Sequence, residues 1–445
     1  MGLAWKIRLA AEKGAVGVLS FGNLVGPEDA EEAKGLEGLE GAVRRESVLL
    51  GITPGDVMSP NVPADGVMPG IDPTHSPELP PIPSIPLSLK SAKHLLQTLS
   101  NHGSLLPEPT TWPDKHKPSP FYEPPSYFSG TNSTSSPTIH LTSHPLTKPQ
   151  PIWNVHTSIK GIEDSLSTIY LTAPRTSFCA GASSSASPTA VLLGVARVFS
   201  QMYAYGWRPL RTIQFISFDG SELGGLGAVE HVEAHRDEIR KGGLAVINLA
   251  GVSGSTFTAS GHPALHGVLK TVLSQTAHPE TKAPLTTTWS GRDLTSFPMV
   301  PGTSDASPFQ SHAGVFALDL GFKGPVDLRG SCMDTHERLV GVETKEFALH
   351  HTLAEVVALL LLQLADTQQL PLSLRDYSLF LSTRLSELQT WVGSLESYPF
   401  RAALDFKPLR ESLRTMQESV SVFEVVPDSW QGNGESWEWE SQRGG

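Results

Sequence analysis

Residues able to do chemistry are unevenly spread along this chain. Residues 165–218, a run of 54, contain no Asp, Glu or His, and residues 239–261 contain none either. Carboxylates and imidazoles bind zinc and shuttle protons near neutral pH, so neither stretch supplies a zinc ligand of that kind or a general base. Between the two lies the block GWRPLRTIQFISFDGSELGGLG, which brings Asp219 and Glu222 close together. Asp219 ends a strand-like run and is expected to cap the helix after it. Glu222 reads as a carboxylate at a helix N-terminus, where exposed amides and the dipole favour it. His350 and His351 fall in an apolar helical run and are expected at the edge of the core, not as ligands. Cys179 and Cys332 are the only cysteines, so there is no disulfide framework and no CxxC zinc knuckle. The chain has no GxSxG elbow, no GxxxxGK[ST] loop and no GxGxxG after a strand.

The elements that must position these residues follow an alternating pattern. Strand-like runs at 167–171, 212–218, 243–249 and 315–320 are interleaved with helical runs at 190–205, 225–241, 262–275 and 345–365. Such alternation implies an α/β fold, a mostly parallel sheet flanked by helices. Before it, residues 1–110 read as a small α/β unit, with a helix at 3–13, a strand at 15–21 and a helix at 88–100. Prolines in LPPIPSIPLS forbid regular helix between them. Residues 111–151 form a Pro/Ser-rich connecting segment, 152–370 the α/β domain, and 371–426 an incomplete helical domain with 3.6-residue periodicity. Residues 427–445 are an acidic, Trp-rich tail.

Composition narrows the function classes. The net charge of −12 lacks the basic face that neutralises phosphates, so no nucleic-acid partner is expected. Charged residues at 18% and hydrophobic residues at 39% are ordinary for a globular chain. The apolar run 356–365 is about half the length of a membrane span and reads as a buried helix. Asn132-Ser133-Thr134 is a glycosylation sequon, a weak signal when it stands alone. The chain opens almost at once on WKIRLAAEKGAVGVLSF, so a domain that begins upstream is expected.

An ordered set of motifs then points to a family. AEKGAVGVLSF, AVRRESVLLGITPGDVMSP, LPPIPSIPLS, PIWNVHTSIKG, the GWRPLRTIQFISFDGSELGGLGAVEHVE block, MDTHERL and LRDYSLFL resemble, in order, the transferrin receptor and glutamate carboxypeptidase II family. The likeness covers roughly residues 8–420. It implies a partial protease-associated domain, a zinc-aminopeptidase-like domain and a C-terminal helical domain through which the family usually dimerises. The wording of the GWRP block is similar to fungal transferrin-receptor-like members, which implies a binding or trafficking adaptor, possible work in metal-transporter sorting, a protein partner and a homodimer. It also implies membrane attachment through a segment upstream, in the endosomal, vacuolar or plasma membrane system. The rival reading is a zinc-dependent exopeptidase of the glutamate carboxypeptidase type with a rebuilt site.

Carried over residue by residue, the resemblance puts the first His ligand at Pro174, the bridging Asp at Ser184 and the general base at Ser221. It puts the third-strand Asp at Ala250 and the final His at Gly330, and leaves Glu222 as the one remnant ligand. Pro, Ala and Gly offer no lone pair from a side chain, and a Ser hydroxyl replaces a bridging carboxylate poorly. Zinc is therefore expected to be absent and the chain to be a pseudo-peptidase. Asp305 matches an acidic residue after a Gly/Ser loop and reads as turn-forming. Glu230 and Glu233 match positions of a structural calcium site; the competing reading is a solvated acidic helix face. Cys179 and Cys332 flank vacated positions. Buried unpaired thiols are the default there, with a disulfide or a soft-metal site including Glu222 left open.

Overall fold

A computed structural model describes residues 3–22, 38–51, 55–65, 70–105, 128–130, 138–144, 148–343, 345–394 and 404–424 of the chain. Helix α1 (Leu3–Glu12) precedes β1 (Val18–Phe21), which pairs in parallel with β2 (Ser84–Leu87). Helix α2 (Leu89–Thr98) follows. Its N-cap is Ser88, whose hydroxyl accepts from the Ser91 amide at 3.1 Å, the expected solution for an amide with no partner inside the helix. Most of the Pro/Ser-rich segment, the Asn132 sequon and the 427–445 tail lie outside the described residues.

The main domain runs β3 (Val155–Ile159), β4 (Asp164–Pro174), α3 (Ser187–Ala204), β5 (Arg211–Phe218), α4 (Leu226–Ala234), α5 (Arg236–Gly242), β6 (Gly243–Val252), β7 (Thr256–Gly261), α6 (His266–Gln275), α7 (Ser307–Ala313), β8 (Phe316–Lys323), α8 (His336–Val342) and α9 (Ala348–Ala365). Its strands form one sheet in the order β3-β5-β4-β6-β8-β7. The four central strands are parallel, and the edge strands β3 and β7 are antiparallel to their neighbours. The fold is thus mixed α/β with a mostly parallel sheet, as expected. Neither edge strand was anticipated. β3 reads VHTSI and is almost wholly exposed, with apolar residues only at its two ends, Val155 and Ile159. β7 alternates, but its inward residues after Phe257 are only Ala259 and Gly261.

Helices cover both faces of the sheet because successive strand residues point opposite ways. Phe215 packs against Phe199 of α3, while Phe218, of opposite parity, packs against Phe309 of α7. The run expected as one helix over 225–241 is broken at His235 into α4 and α5. Helix α9 buries Leu349, Leu353, Val356, Val357, Leu360, Leu361 and Leu364. At about 2 kcal/mol per buried aliphatic side chain, that stripe anchors the helix against α3, α6 and the sheet. By length and composition α9 could also cross a membrane, but half of it is already buried here. Its last carbonyls are held by the buried Arg211 of β5, which donates to Leu364, Thr367 and Gln368 at 3.1, 2.6 and 3.0 Å. A cation at a helix C-terminus satisfies carbonyls that have no partner within the helix.

The chain divides into two compact units, Met1–Pro371 and Leu372–Gly445. The second contains α10 (Leu374–Ser394) and α11 (Lys407–Glu424), which pack on each other and share a hydrogen bond from Gln417 to Ser382 at 2.8 Å.

Candidate functional site

In parallel α/β sheets the binding crevice lies outside the carboxyl ends of the strands. Here that rim is formed by Pro174 at the end of β4, the Asp219–Glu222 turn after β5, Ala250 late in β6, and the loops around Asp305 and residues 324–335. Before α3, Gly181 adopts φ 65° and opens a single wide turn, Ala182–Ala186. A Cβ at Gly181 would sit 2.0 Å from the Ser177 hydroxyl, so the turn requires glycine.

Ser184, at the bridging position, points its hydroxyl at Asp334. That buried carboxylate accepts from the amide and hydroxyl of Ser183, both at 2.8 Å, and from those of Ser184 at 3.1 and 2.8 Å. Four donors occupy both its oxygens. Sequence reasoning missed Asp334; its only signal was a place inside MDTHERL. Gly330, at the final His position, has φ 77°, and its carbonyl accepts from the Arg45 amide at 2.9 Å. A Cβ there would lie 2.3 Å from the Arg45 carbonyl oxygen, so no imidazole fits without moving backbone.

Ser221, at the general-base position, donates to Oδ2 of Asp305 at 2.7 Å. Asp305 is 2% exposed, and its Oδ1 has no hydrogen-bond partner. Burial pushes its pKa up to about 7, with the charges of Asp319 and Glu222 adding to the effect. Asp305 does lie in a turn, as expected, and in addition its buried side chain faces the rim of the sheet. Glu222 accepts from the Thr176 hydroxyl at 2.7 Å, and Thr176 in turn accepts from the Gly220 amide at 2.7 Å. Beneath them Asn248 accepts from Thr172 at 2.9 Å and donates to Ser304 and Asp319 at 3.2 and 3.1 Å. Burial also raises the pKa of Asp319.

Asp219 does not cap the next helix with its side chain. Its Oδ2 accepts from the Trp153 amide at 2.8 Å and lies 3.8 Å from Arg175, joining the lead-in to β3 to the rim. The N-caps of the turns after it are Gly220 and Gly225, in left-handed conformations. His350 is more than a core-edge residue. Its Nε2 lies 2.8 Å from Ser187 Oγ and its Nδ1 3.0 Å from Glu343 Oε2. Ser187 is 2% exposed and accepts from the Val252 amide at 2.9 Å, so this relay ties α3, β6 and α9 together without presenting a nucleophile. His351 is exposed.

The two cysteines are not unpaired thiols. They form a disulfide with a Cα–Cα separation of 5.0 Å, joining the loop after β4 to the loop before α8. Arg45 Nη1 lies 3.4 Å from Cys332 Sγ and 4.0 Å from Cys179 Sγ. Nearby, burial works against the charge of Asp327, but its paired bonds from Arg329 at 2.8 and 2.9 Å, with Arg44, bring its pKa down to about 2.

Glu230 and Glu233 face the N-terminal segment. Glu230 accepts from the amides of Asp56 at 2.9 Å and Ala64 at 2.7 Å, one on each oxygen. Glu233 is buried, with an unpartnered Oε2, and burial pushes its pKa up to about 7, the charge of Glu230 adding to it. The solvated-face reading is thereby corrected. Calcium takes six or more oxygens, whereas this loop turns N–H groups toward Glu230. The arrangement is a clamp on the 55–65 loop and does not fit a calcium cage. The rim does not fit a zinc pair either. Pro174, Ala250 and Gly330 offer no donor side chain, and among the described residues no group of three His, Cys, Asp or Glu is placed to hold a metal ion.

Residues 160–355 match the profile of Peptidase family M28. The chain is 28% identical over 379 residues to the Probable glutamate carboxypeptidase AMP1 of Arabidopsis thaliana, covering 84% of this chain and 50% of that protein. It is 29% identical over 338 residues to Vacuolar protein sorting-associated protein 70 of Saccharomyces cerevisiae, covering 73% and 40%. It is 26% identical over 385 residues to the Inactive zinc metalloprotease C354.09c of Schizosaccharomyces pombe, covering 84% and 46%. Most of the α/β domain is thus similar to peptidase family M28. Within it, the chain's relatives are those of the transferrin receptor and glutamate carboxypeptidase branch. The chain spans about half the length of the curated relatives it matches.

Proposed function

We propose that this chain is a non-catalytic peptidase homologue that acts by binding a protein partner, in sorting or trafficking. One observation carries the reading: Ser184, where a bridging carboxylate would stand, is bonded to Asp334, whose two oxygens are both occupied by hydroxyl and amide donors. Ser221, which the resemblance puts at the general-base position, likewise donates a hydrogen bond to Asp305 and offers no carboxylate to take a proton from a water. A rebuilt zinc site would have to draw on Asp305, Asp319, Asp334 and Glu222, and each already accepts a hydrogen bond from the protein.

The relatives named for vacuolar sorting and for inactive protease fit a sorting role. The disulfide fits a lumenal or extracellular setting, since such bonds persist in oxidising compartments. In the helical unit, Leu388, Trp391, Val422 and Phe423 are exposed and offer apolar surface to a partner, which we take to include a second copy of the chain.

Metal analysis of the purified protein, with an assay on an acidic dipeptide, tests the reading. We expect neither stoichiometric zinc nor cleavage. Two zinc ions per chain with chelator-sensitive hydrolysis would overturn it in favour of the exopeptidase.

A further inference from the structure

The Cys179–Cys332 bond crosses the rim between the loop after β4 and the loop that carries Gly330 and Asp334. We propose that it is a thiol-exchange site, opened by a dithiol reductant and closed by a disulfide oxidant, and that its state controls how firmly the 175–186 segment is held. Cys332 is exposed, so an incoming thiolate reaches its sulfur. Arg45 places a guanidinium nitrogen 3.4 Å from that sulfur and 4.0 Å from Cys179 Sγ, so positive charge stands beside the sulfur that leaves as a thiolate. The same charge disfavours a cation between the two thiols, which argues against the soft-metal alternative.

The chain has only these two cysteines, so an opened pair has no rival within it. The loops also stay in register when the bond is cut. Asp334 holds Ser183 and Ser184 through its side chain, and its carbonyl accepts from the Ala182 amide at 3.0 Å. The device is a covalent clasp laid over a non-covalent one.

A thiolate of the dithiol attacks Cys332 Sγ, the Cys179–Cys332 bond breaks, and Cys179 leaves as a thiolate beside Arg45. The second thiol of the reagent attacks its own mixed disulfide and releases Cys332. The reagent ends as a cyclic disulfide, having supplied two electrons and two protons, and the protein ends as two thiols.

The test uses the full chain isolated without reductant and then treated with dithiothreitol in native buffer. Mass spectrometry after alkylation should count no free thiol before treatment and two after it, with circular dichroism unchanged. Hydrogen exchange across residues 175–186 should speed up at least tenfold on reduction and return on adding oxidised glutathione. Arg45→Gln should slow opening about tenfold and Arg45→Lys should restore it, a pattern that simple loss of packing would not give. The Cys179→Ser/Cys332→Ser double variant should show the fast exchange with or without reductant. Two free thiols in the isolated protein, opening only together with global unfolding, or identical exchange in the oxidised and reduced forms would each overturn the proposal.

Discussion

The hydroxyl of Ser221 and the carboxylate of Asp305 meet at 2.7 Å at the rim of the sheet, with the hydroxyl as hydrogen-bond donor. A general base takes a proton from water, which a serine hydroxyl donating to a carboxylate does not do; the acid opposite it is buried, with its pKa pushed up to about 7. The rim is polar, and its groups are largely bonded to one another, although Oδ1 of Asp305 has no partner.

Asp305 should make stability depend on pH. Its pKa rises from 3.8 to about 7 on folding, chiefly through burial. A carboxyl raised in the folded state contributes stability that is fully present below 3.8 and lost as pH rises through about 7. The span corresponds to roughly 2–4 kcal/mol for one deeply buried group. Asp305→Asn should therefore gain stability relative to wild type at pH 8 but not at pH 4. Equal differences at the two pH values, measured by urea unfolding, would rule this out.

Ser184→Asp should not rebuild a metal site. The new carboxylate would face Asp334 across the 2.8 Å now spanned by a hydroxyl. Two like charges in contact, with a hydrogen bond removed, should cost about 2–4 kcal/mol. Asp334→Ala should cost a similar amount by leaving the Ser183 and Ser184 donors unpaired in a buried setting. Thermal melts with and without added zinc decide it: rescue of Ser184→Asp by zinc is the contrary result.

Arg211→Met keeps volume in β5 but removes three donors from the carbonyls that end α9 and follow it. An unpaired buried carbonyl costs about 1–3 kcal/mol, and of the three only that of Leu364 is fully buried, so a net loss of roughly 2 kcal/mol is expected. Hydrogen exchange should loosen first at the last turn of α9. Uniform loosening of the whole sheet would point to a different role.

Glu230→Gln should free the 55–65 loop. One of its two oxygens becomes an amide N–H₂, which cannot accept from Asp56 or Ala64. We expect faster exchange at one or both of those amides. Millimolar calcium should leave the wild-type melting temperature within about 1 °C, because ligand-linked stabilisation needs a site that binds the folded form. A calcium-dependent rise lost in the variant would show that the clamp rearranges into a cation site.

Much was legible in the residues themselves. The four central strands, the helices between them and the buried α9 follow from hydrophobic runs and 3.6-residue periodicity, which depend only on local order in the chain. The expectation of vacated ligand positions at Pro174, Ser184, Ser221, Ala250 and Gly330 came from single residue identities set against motifs. The edge strands escaped notice because β3 is short and exposed, with apolar residues only at its two ends, and β7 relies on small residues.

What only the tertiary structure decided is where each polar group finds its partner. Asp334 and Ser184 are 150 residues apart, Cys179 and Cys332 are 153 apart, and Glu230 meets amides 166 and 174 positions away. Sequence spacing constrains contacts within a turn or a strand pair, but such distant pairings exist only once the sheet has set the order of its strands. The chain itself determined that residues 165–218 and 239–261 hold no Asp, Glu or His. Folding decided that what remains closes on itself, through a disulfide, a four-donor carboxylate and a neutral-leaning acid.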